Sequence, residues 1–316
     1  MIIVLYENED WLVPLVASLK KKKLPYQTRF INGGQIDISS VPEKAVYINR
    51  MSPSSHTRGH MDGVRFMREY LSVLESHGMP IINGSTSFSF ELSKVQQHAV
   101  LEAFGIQTPR TIATIGMKPF GEAGQKMEPP FITKHNQGGK GLGVQLFKSQ
   151  EGFLNLLAEN KYENSPDGVN LIQQYIKSEK EQITRVEIVN GEFLYAINSS
   201  TADGFELCPA DACSIDDAFC PVGEEANTGK FQLATEINSE TDIVKQYIAF
   251  CKQNKIDVAG IEFVEDETGQ RYTYDINCTT NYNSNIENEL GFSGMDCIVE
   301  LAKQRWNAFC SSSNLI

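Results

Sequence analysis

The sequence predicts an α/β protein of mixed, α+β type, with a small doubly wound unit at its start. Three observations predict it. Short apolar runs alternate with amphipathic helical periods over residues 1–92. A glycine-rich stretch, FITKHNQGGKGLGVQLF (Phe131 to Phe147), reads as strand, loop and strand. Two further strand patterns, VAGIEFV and RYTYDIN, lie close together near the end of the chain.

Met1 to Tyr6 is an apolar strand. Trp11, Leu15 and Leu19 have helical spacing, and Lys20 to Lys23 load that helix's C-terminal end, where cations favour the dipole. Ala45 to Ile48 is a strand leading into NRMSPSSHTRGH. Met61 to His77 is a helix closed by Gly78, and Pro80 to Asn83 is the next strand. Ser93-x-x-Gln96 has the capping-box pattern and opens a helix stopped by Gly105. Met117 to Pro129, rich in Gly and Pro, reads as a loop. Ser149 to Glu159 reads as a helix and Val169 to Ile176 as a strand. Ile183 to Tyr195 is a hairpin turning at Asn190-Gly191, a strong two-residue turn signal. Ser239 to Lys252 is a helix with Ser239-x-x-Asp242 at its cap, and Gly291 to Phe309 closes the fold. CTTNYNSNIENE, between them, reads as a polar loop suited to a substrate.

In the glycine-rich hairpin, Gly138, Gly139, Gly141 and Gly143 leave backbone N–H groups with little Cβ shielding, free to meet phosphate oxygens. Lys134 supplies a point charge for the same oxygens. A Walker A loop requires Lys-Ser/Thr opening a helix, whereas Lys140 precedes Gly141 and a strand. A Rossmann loop also opens a helix. Kinase motifs are missing downstream. On the loop alone, a hairpin that binds nothing remains the alternative. Lys94, in the first turn of its helix, opposes the dipole preference unless it reaches an anion.

If Glu267 to Gln270 is a four-residue hairpin loop, Glu262 falls opposite Asp275, with Asn277 on the same face. Facing carboxylates repel unless a cation lies between them, and an all-oxygen set suits Mg²⁺. Arg50, at the carboxyl end of a strand, is placed where open α/β sheets bind ligands; a surface loop with incidental charges is the other reading. Arg50, Arg58, His56, His60, Asn281 and Asn283 suggest an anionic, polar substrate. Arg185 alternates with Val186 on its strand and so lies on one face.

The length of 316 residues allows two or three compact units. No apolar run approaches the ~18 residues of a membrane span, and MIIVLYENEDW lacks the basic start of a signal peptide. Seven cysteines fit reduced thiols in a cytoplasm. The spacing of Cys208, Cys213 and Cys220 matches no zinc pattern. The net charge of −12 argues against a general nucleic-acid or anionic-membrane binder, so attraction for an anionic nucleotide must be local or metal-mediated.

The order of these features (Lys94 opening a helix, Lys134 with QGGKGLGV, a strand ending QQYI, ITRVEIVNG, then GIEF and YDIN) resembles the ATP-grasp superfamily over about residues 45–300, nearest its glutamate-ligase-like, ribosomal-protein-glutamate-ligase-like branch. The resemblance implies a pre-ATP-grasp α/β domain over 1–92. A central subdomain with a glycine lid over 93–178 and a C-terminal subdomain with a metal site over 179–312 would clamp ATP and Mg²⁺, and 313–316 would form a tail. It implies that Lys94 and Lys134 contact ATP phosphates under a lid of residues 137–144, including Gly138, Gly139, Lys140, Gly141 and Gly143. Gln173, Gln174, Tyr175 and Ile176 would form the adenine hinge through their backbone, with Gln174 replacing the family's usual acid. Arg185 and Lys134 would be catalytic, Thr184 standing where the branch has an acid. Glu262, Asp275 and Asn277 would hold magnesium, and Arg50 would face the substrate. The implied activity is carboxylate–amine ligation through an acyl phosphate, on an amino acid or peptide and in a homodimer. A non-catalytic, synapsin-like ATP binder and a phosphotransferase are the alternatives.

Overall fold

A computed structural model describes residues 1–139, 141, 143–201 and 231–313. The chain starts with β1 (Ile2–Tyr6), α1 (Glu9–Lys21), β2 (Tyr26–Phe30) and β3 (Val46–Arg50). A short 3₁₀ helix (Pro53–Arg58), α2 (Met61–Ser76), β4 (Ile81–Ile82) and α3 (Ser85–Leu92) follow. The strands form one parallel sheet in the order β2-β1-β3-β4. Residues alternate along it: Ile3, Leu5 and Tyr47 pack on Met67, Leu71 and Leu74 of α2. Ile2, Val4, Val46 and Ile48 pack on Leu15 and Leu19 of α1. The lysine run does end α1, with Lys20 and Lys21 in its last turn, and Asn8 caps its start by accepting from Trp11 N–H at 3.1 Å.

The second stretch contains α4 (Lys94–Phe104), β5 (Thr111–Ile115), α5 (Met117–Lys126), β6 (Phe131–His135), β7 (Gln145–Phe147), α6 (Gln150–Ala158) and β8 (Val169–Gln174). Its sheet is antiparallel, in the order β5-β8-β6-β7. Ser93 caps α4 as expected, its hydroxyl accepting from Gln96 N–H. Gln96 itself turns to Ser89 Oγ instead of completing the capping box. The hairpin β6–β7 frames the glycine loop as the residue pattern implied. Met117 to Lys126 is a helix, not a loop. Its Gly124 is a packing device: a Cβ there would overlap the Phe153 ring of α6.

The third stretch contains β9 (Gln182–Val189), β10 (Glu192–Ser200), β11 (Phe231–Leu233), α7 (Asp242–Gln253), β12 (Val258–Glu265), β13 (Arg271–Asn277), α8 (Ser284–Leu290) and α9 (Gly294–Ser313). The sheet is antiparallel, in the order β11-β10-β9-β12-β13. Asn190 and Gly191 both take positive φ at the expected β9–β10 turn. Tyr247 and Phe250 of α7 pack on Val186, Ile188 and Ile261.

The cap of α7 is Thr241 rather than Ser239, with no side-chain capping bond; the Thr241 hydroxyl instead accepts from Asn238 N–H. The second half of the Asn-rich stretch is α8, because Asn283 caps it by accepting from Ile286 N–H at 3.1 Å. The expected thiols Cys208, Cys213 and Cys220, Lys140, and residues 314–316 of the tail lie outside the described residues.

The core of the first sheet continues into the third. Ile298, Val299 and Ala302 of α9 join Ile2, Val4, Val189, Tyr195 and Val258 in one cluster. Asn83 locks the two sheets together. Its side-chain amide donates to the Val258 and Cys278 carbonyls at 2.8 and 2.6 Å and accepts from Asp257 and Val258 N–H. Among the described residues, no helix is long and apolar enough to cross a membrane.

Candidate active site

The three sheets meet around one cavity of about 300 Å³. From the second stretch come Lys94, Lys134, Gly138, Gly139, Gly141 and the segment Gln173 to Ile176. From the third come Arg185, Glu262, Asp275, Asn277 and Asn281, and from the first Trp11, Ser52 and Ser54.

The acidic pair arises from the strand register. Glu265 pairs with Arg271, so the turn is one residue longer than Glu267 to Gln270. A bulge at Tyr274 absorbs the difference and sets Glu262 opposite Asp275, and Asn277 opposite Gly260. The sequence therefore placed the pair correctly, although the turn it assumed was too short. Lys94 Nζ donates to Asp275 Oδ1 at 2.5 Å, while Arg185 Nη1 donates to Glu262 Oε1 at 3.0 Å. Tyr274 OH and Asn277 Nδ2 also donate to Glu262, at 2.9 and 3.3 Å. Burial would lift Asp275, yet Lys94 and Lys134 hold it below the usual carboxylate range. Burial raises Glu262, with Asp275 adding to the rise and Arg185 opposing it. Among the described residues, no three His, Cys, Asp or Glu side chains form a metal cluster. The candidate set is two carboxylates and one amide oxygen.

Lys134 is under electrostatic stress. It is only 4% accessible, and its Nζ donates to the Tyr274 carbonyl at 3.3 Å, with no carboxylate in bonding range among the described residues. Burial, with Lys94 beside it, brings its pKa down to about 7. Arg185 is fully engaged on one side. Burial disfavours its charge, but Glu187 and Glu262 together raise its pKa. A Cβ at Gly260 would overlap its guanidinium, so the glycine lets Arg185 lie across β12.

The loop glycines cross above this group. Gly139 passes the 3₁₀ helix so closely that a Cβ would stand 3.6 Å from Ser54 Cβ. Gly143, at φ +73°, rests on the His135 ring. At the other end, Gln174 N–H donates to the Arg110 carbonyl and Tyr175 N–H to that of Pro130.

The expected substrate residues separate. Asn281 lines the cavity. Arg50 is buried behind it, donating to the Thr280 carbonyl at 2.8 Å and to Asn281 Oδ1 at 2.5 Å. Arg58 pairs with the buried Glu7 and stacks on Trp11 at 5.2 Å. His60 also faces Glu7, and His56 contacts the Pro53 carbonyl. Asn283 caps α8. None of these four lines the cavity.

Sequence reasoning missed Glu91, Trp11, Ser52 and Ser54 in the lining. Glu91 Oε2 accepts from the N–H groups of Cys278 and Thr279, just beyond Asn277, and burial pushes its pKa up to about 7. A lone Glu in a helix of mixed residues carries no local signal of this contact.

This architecture is the ATP-grasp fold. Residues 92–206 match the family model of the RimK-like ATP-grasp domain. Solved structures agree in fold over nearly the whole chain. D-alanine–D-alanine ligase from Bacillus anthracis is 16% identical, with 99% of each chain covered and a TM-score of 0.66. D-cycloserine synthetase DcsG is 16% identical, covering 96% of this chain and 100% of its own, with a TM-score of 0.64. The ATP-grasp ligase PsnB complexed with a minimal precursor is 14% identical, with 96% and 98% covered and a TM-score of 0.63. No curated protein sequence matches the chain.

Proposed function

We propose that the protein is an ATP-dependent carboxylate–amine ligase that activates an amino-acid or peptide carboxylate as an acyl phosphate. The observation that carries this reading is the convergence of Lys94, Lys134, Arg185, Glu262, Asp275 and Asn277 on one cavity beneath the glycine loop. The named ligases of the same fold support it. ATP and Mg²⁺ fit these residues on two counts. Lys134 is a buried lysine with no carboxylate bonded to it among the described residues, and a phosphate would supply the counter-charge that favours its protonated form. Glu262, Asp275 and Asn277 offer the oxygen donors that a hard divalent cation prefers.

Lys94 and Lys134 would hold phosphate oxygens, with the N–H groups around Gly138, Gly139 and Gly141. Bound Mg²⁺ would neutralise charge on the phosphates between Glu262, Asp275 and Asn277. Arg185 would steady the transferring phosphoryl group and the oxygen to which it passes. The Gln173 to Ile176 backbone would receive adenine; Ile176 N–H, with no partner among the described residues, is the free donor there. The glycine loop would exclude water while an amine attacks the activated carboxyl carbon and phosphate leaves. Asn281, Trp11, Ser52 and Ser54 would form the substrate end, and Arg50 would act there by holding Asn281. The free thiols Cys251, Cys278, Cys297 and Cys310 accord with a reducing cytoplasm.

The test is ADP and phosphate release from Mg-ATP with pooled amino acids and short peptides, followed by mass spectrometry. Substrate-dependent release with a product equal to two substrates minus water is expected. A stable phosphoester in place of free phosphate would make the protein a phosphotransferase.

A further inference from the structure

Arg185 is gripped by three groups. Nε donates to Glu187 Oε1 at 2.6 Å, Nη1 to Glu262 Oε1 at 3.0 Å, and Nη2 to Thr280 Oγ1 at 2.5 Å. A guanidinium has five N–H donors. These bonds leave one on each Nη, and Arg185 lines the cavity.

Its two carboxylates differ in setting. Glu262 lines the cavity, where a cation can take it. Glu187 is 1% accessible and stands behind Arg185, two residues along β9 on the same face. Thr280 completes the grip. Its hydroxyl accepts from Arg185 and donates to Glu187 Oε2 at 3.0 Å, while its carbonyl accepts from Arg50. With Glu262 alone, Arg185 would lose its counter-charge whenever that carboxylate turned to a metal.

We propose that Glu187 and Thr280 are a positioning pair that holds the Arg185 guanidinium in place when Glu262 is drawn to a cation, keeping its two remaining N–H groups aimed at the transferring phosphoryl group. This rests on the ligase reading above. Glu187 is the permanent partner because it is sealed from the cavity, and Thr280 fixes the plane of the guanidinium by bonding both residues.

The experiment uses binding rather than turnover. Calorimetry on the full chain would measure MgADP affinity, then the added affinity of aluminium fluoride as a phosphoryl mimic. The native protein would be compared with Thr280→Val, Thr280→Ser and Glu187→Gln. All four should bind MgADP within about twofold, while fluoride affinity falls at least ~10-fold in Thr280→Val and Glu187→Gln and survives in Thr280→Ser. A purely structural role would lower melting temperature without singling out the fluoride complex. Native-like fluoride affinity in Thr280→Val, or equal loss in Thr280→Ser, would overturn the proposal. So would native protein that binds MgADP but no fluoride. Absence of MgADP binding by the native protein would instead overturn the nucleotide reading, and this inference with it. If Glu187→Gln does not fold, the two Thr280 variants decide the matter.

Discussion

Lys94 Nζ sits 2.5 Å from Asp275 Oδ1, joining the first turn of α4 to β13 across 181 positions of chain. This pairing resolves the oddity of a lysine at a helix N-terminus, since a carboxylate supplies the anion. It also makes Asp275 a carboxylate that a divalent cation and Lys94 would share. Asp275→Asn should therefore cost most of the Mg²⁺-dependent gain in ATP affinity, about 10-fold or 1.4 kcal/mol. Calorimetry at several Mg²⁺ concentrations checks this. An unaltered Mg²⁺ gain would remove Asp275 from the metal site.

Lys134 gives a pH signature in the ligand-free protein. Its folded pKa, about 7, lies below its ordinary 10.5, with burial the main cause. Between those values the unfolded chain binds a proton that the native chain does not, so this residue makes stability rise with pH across that window. Lys134→Met should flatten the rise, be more stable than native protein near pH 7, and bind ATP at least ~10-fold more weakly. Melting curves at pH 7 to 9.5 provide the stability check. Parallel slopes in the two proteins would contradict it.

The local features of the site were readable from the chain, and the long-range ones were not. The glycine hairpin, the Ser93 cap and the Asn190-Gly191 turn depend on neighbours in sequence, and each formed where residue type required it. Arg50 and Arg58 looked like substrate cations because their partners, Asn281 and Glu7, are brought to them only by the fold. Helix α5 was hidden because Gly121 and Gly124 look like loop residues. Gly124 is needed for contact with Phe153, which a local reading cannot show.

Gly260 is required by Arg185. Its missing Cβ is the space into which the guanidinium folds, between the Glu187 and Glu262 carboxylates. Gly260→Ala should force Arg185 out of this grip and destabilise the protein by about 1–3 kcal/mol, the usual range for overpacking. Urea denaturation measures the stability loss, and aluminium fluoride binding with MgADP measures the misplaced arginine. Native-like values in both would show that Arg185 has another place to lie.

Among the described residues, Asn83 is the one side chain of the first stretch that satisfies four backbone groups of the third: two carbonyls and two N–H groups, at or next to the start of β12 and the end of β13. Asn83→Ala would strand these buried groups, each costing about 1–3 kcal/mol when unsatisfied. Water entering the vacated space would recover part of that. The net loss should still be about 3 kcal/mol, among the largest for a single polar substitution. Asn83→Asp is a sharper variant, since it keeps the volume and the acceptor but replaces the donor. Its carboxylate would face the Val258 and Cys278 carbonyls, so it should be at least as damaging as alanine near pH 7 and recover in part as acid restores a donating O–H. Urea denaturation of both variants at pH 7 and pH 5 tests the pair. A smaller loss for aspartate than for alanine at pH 7, with no recovery at pH 5, would mean that the amide's donor bonds contribute nothing to the lock.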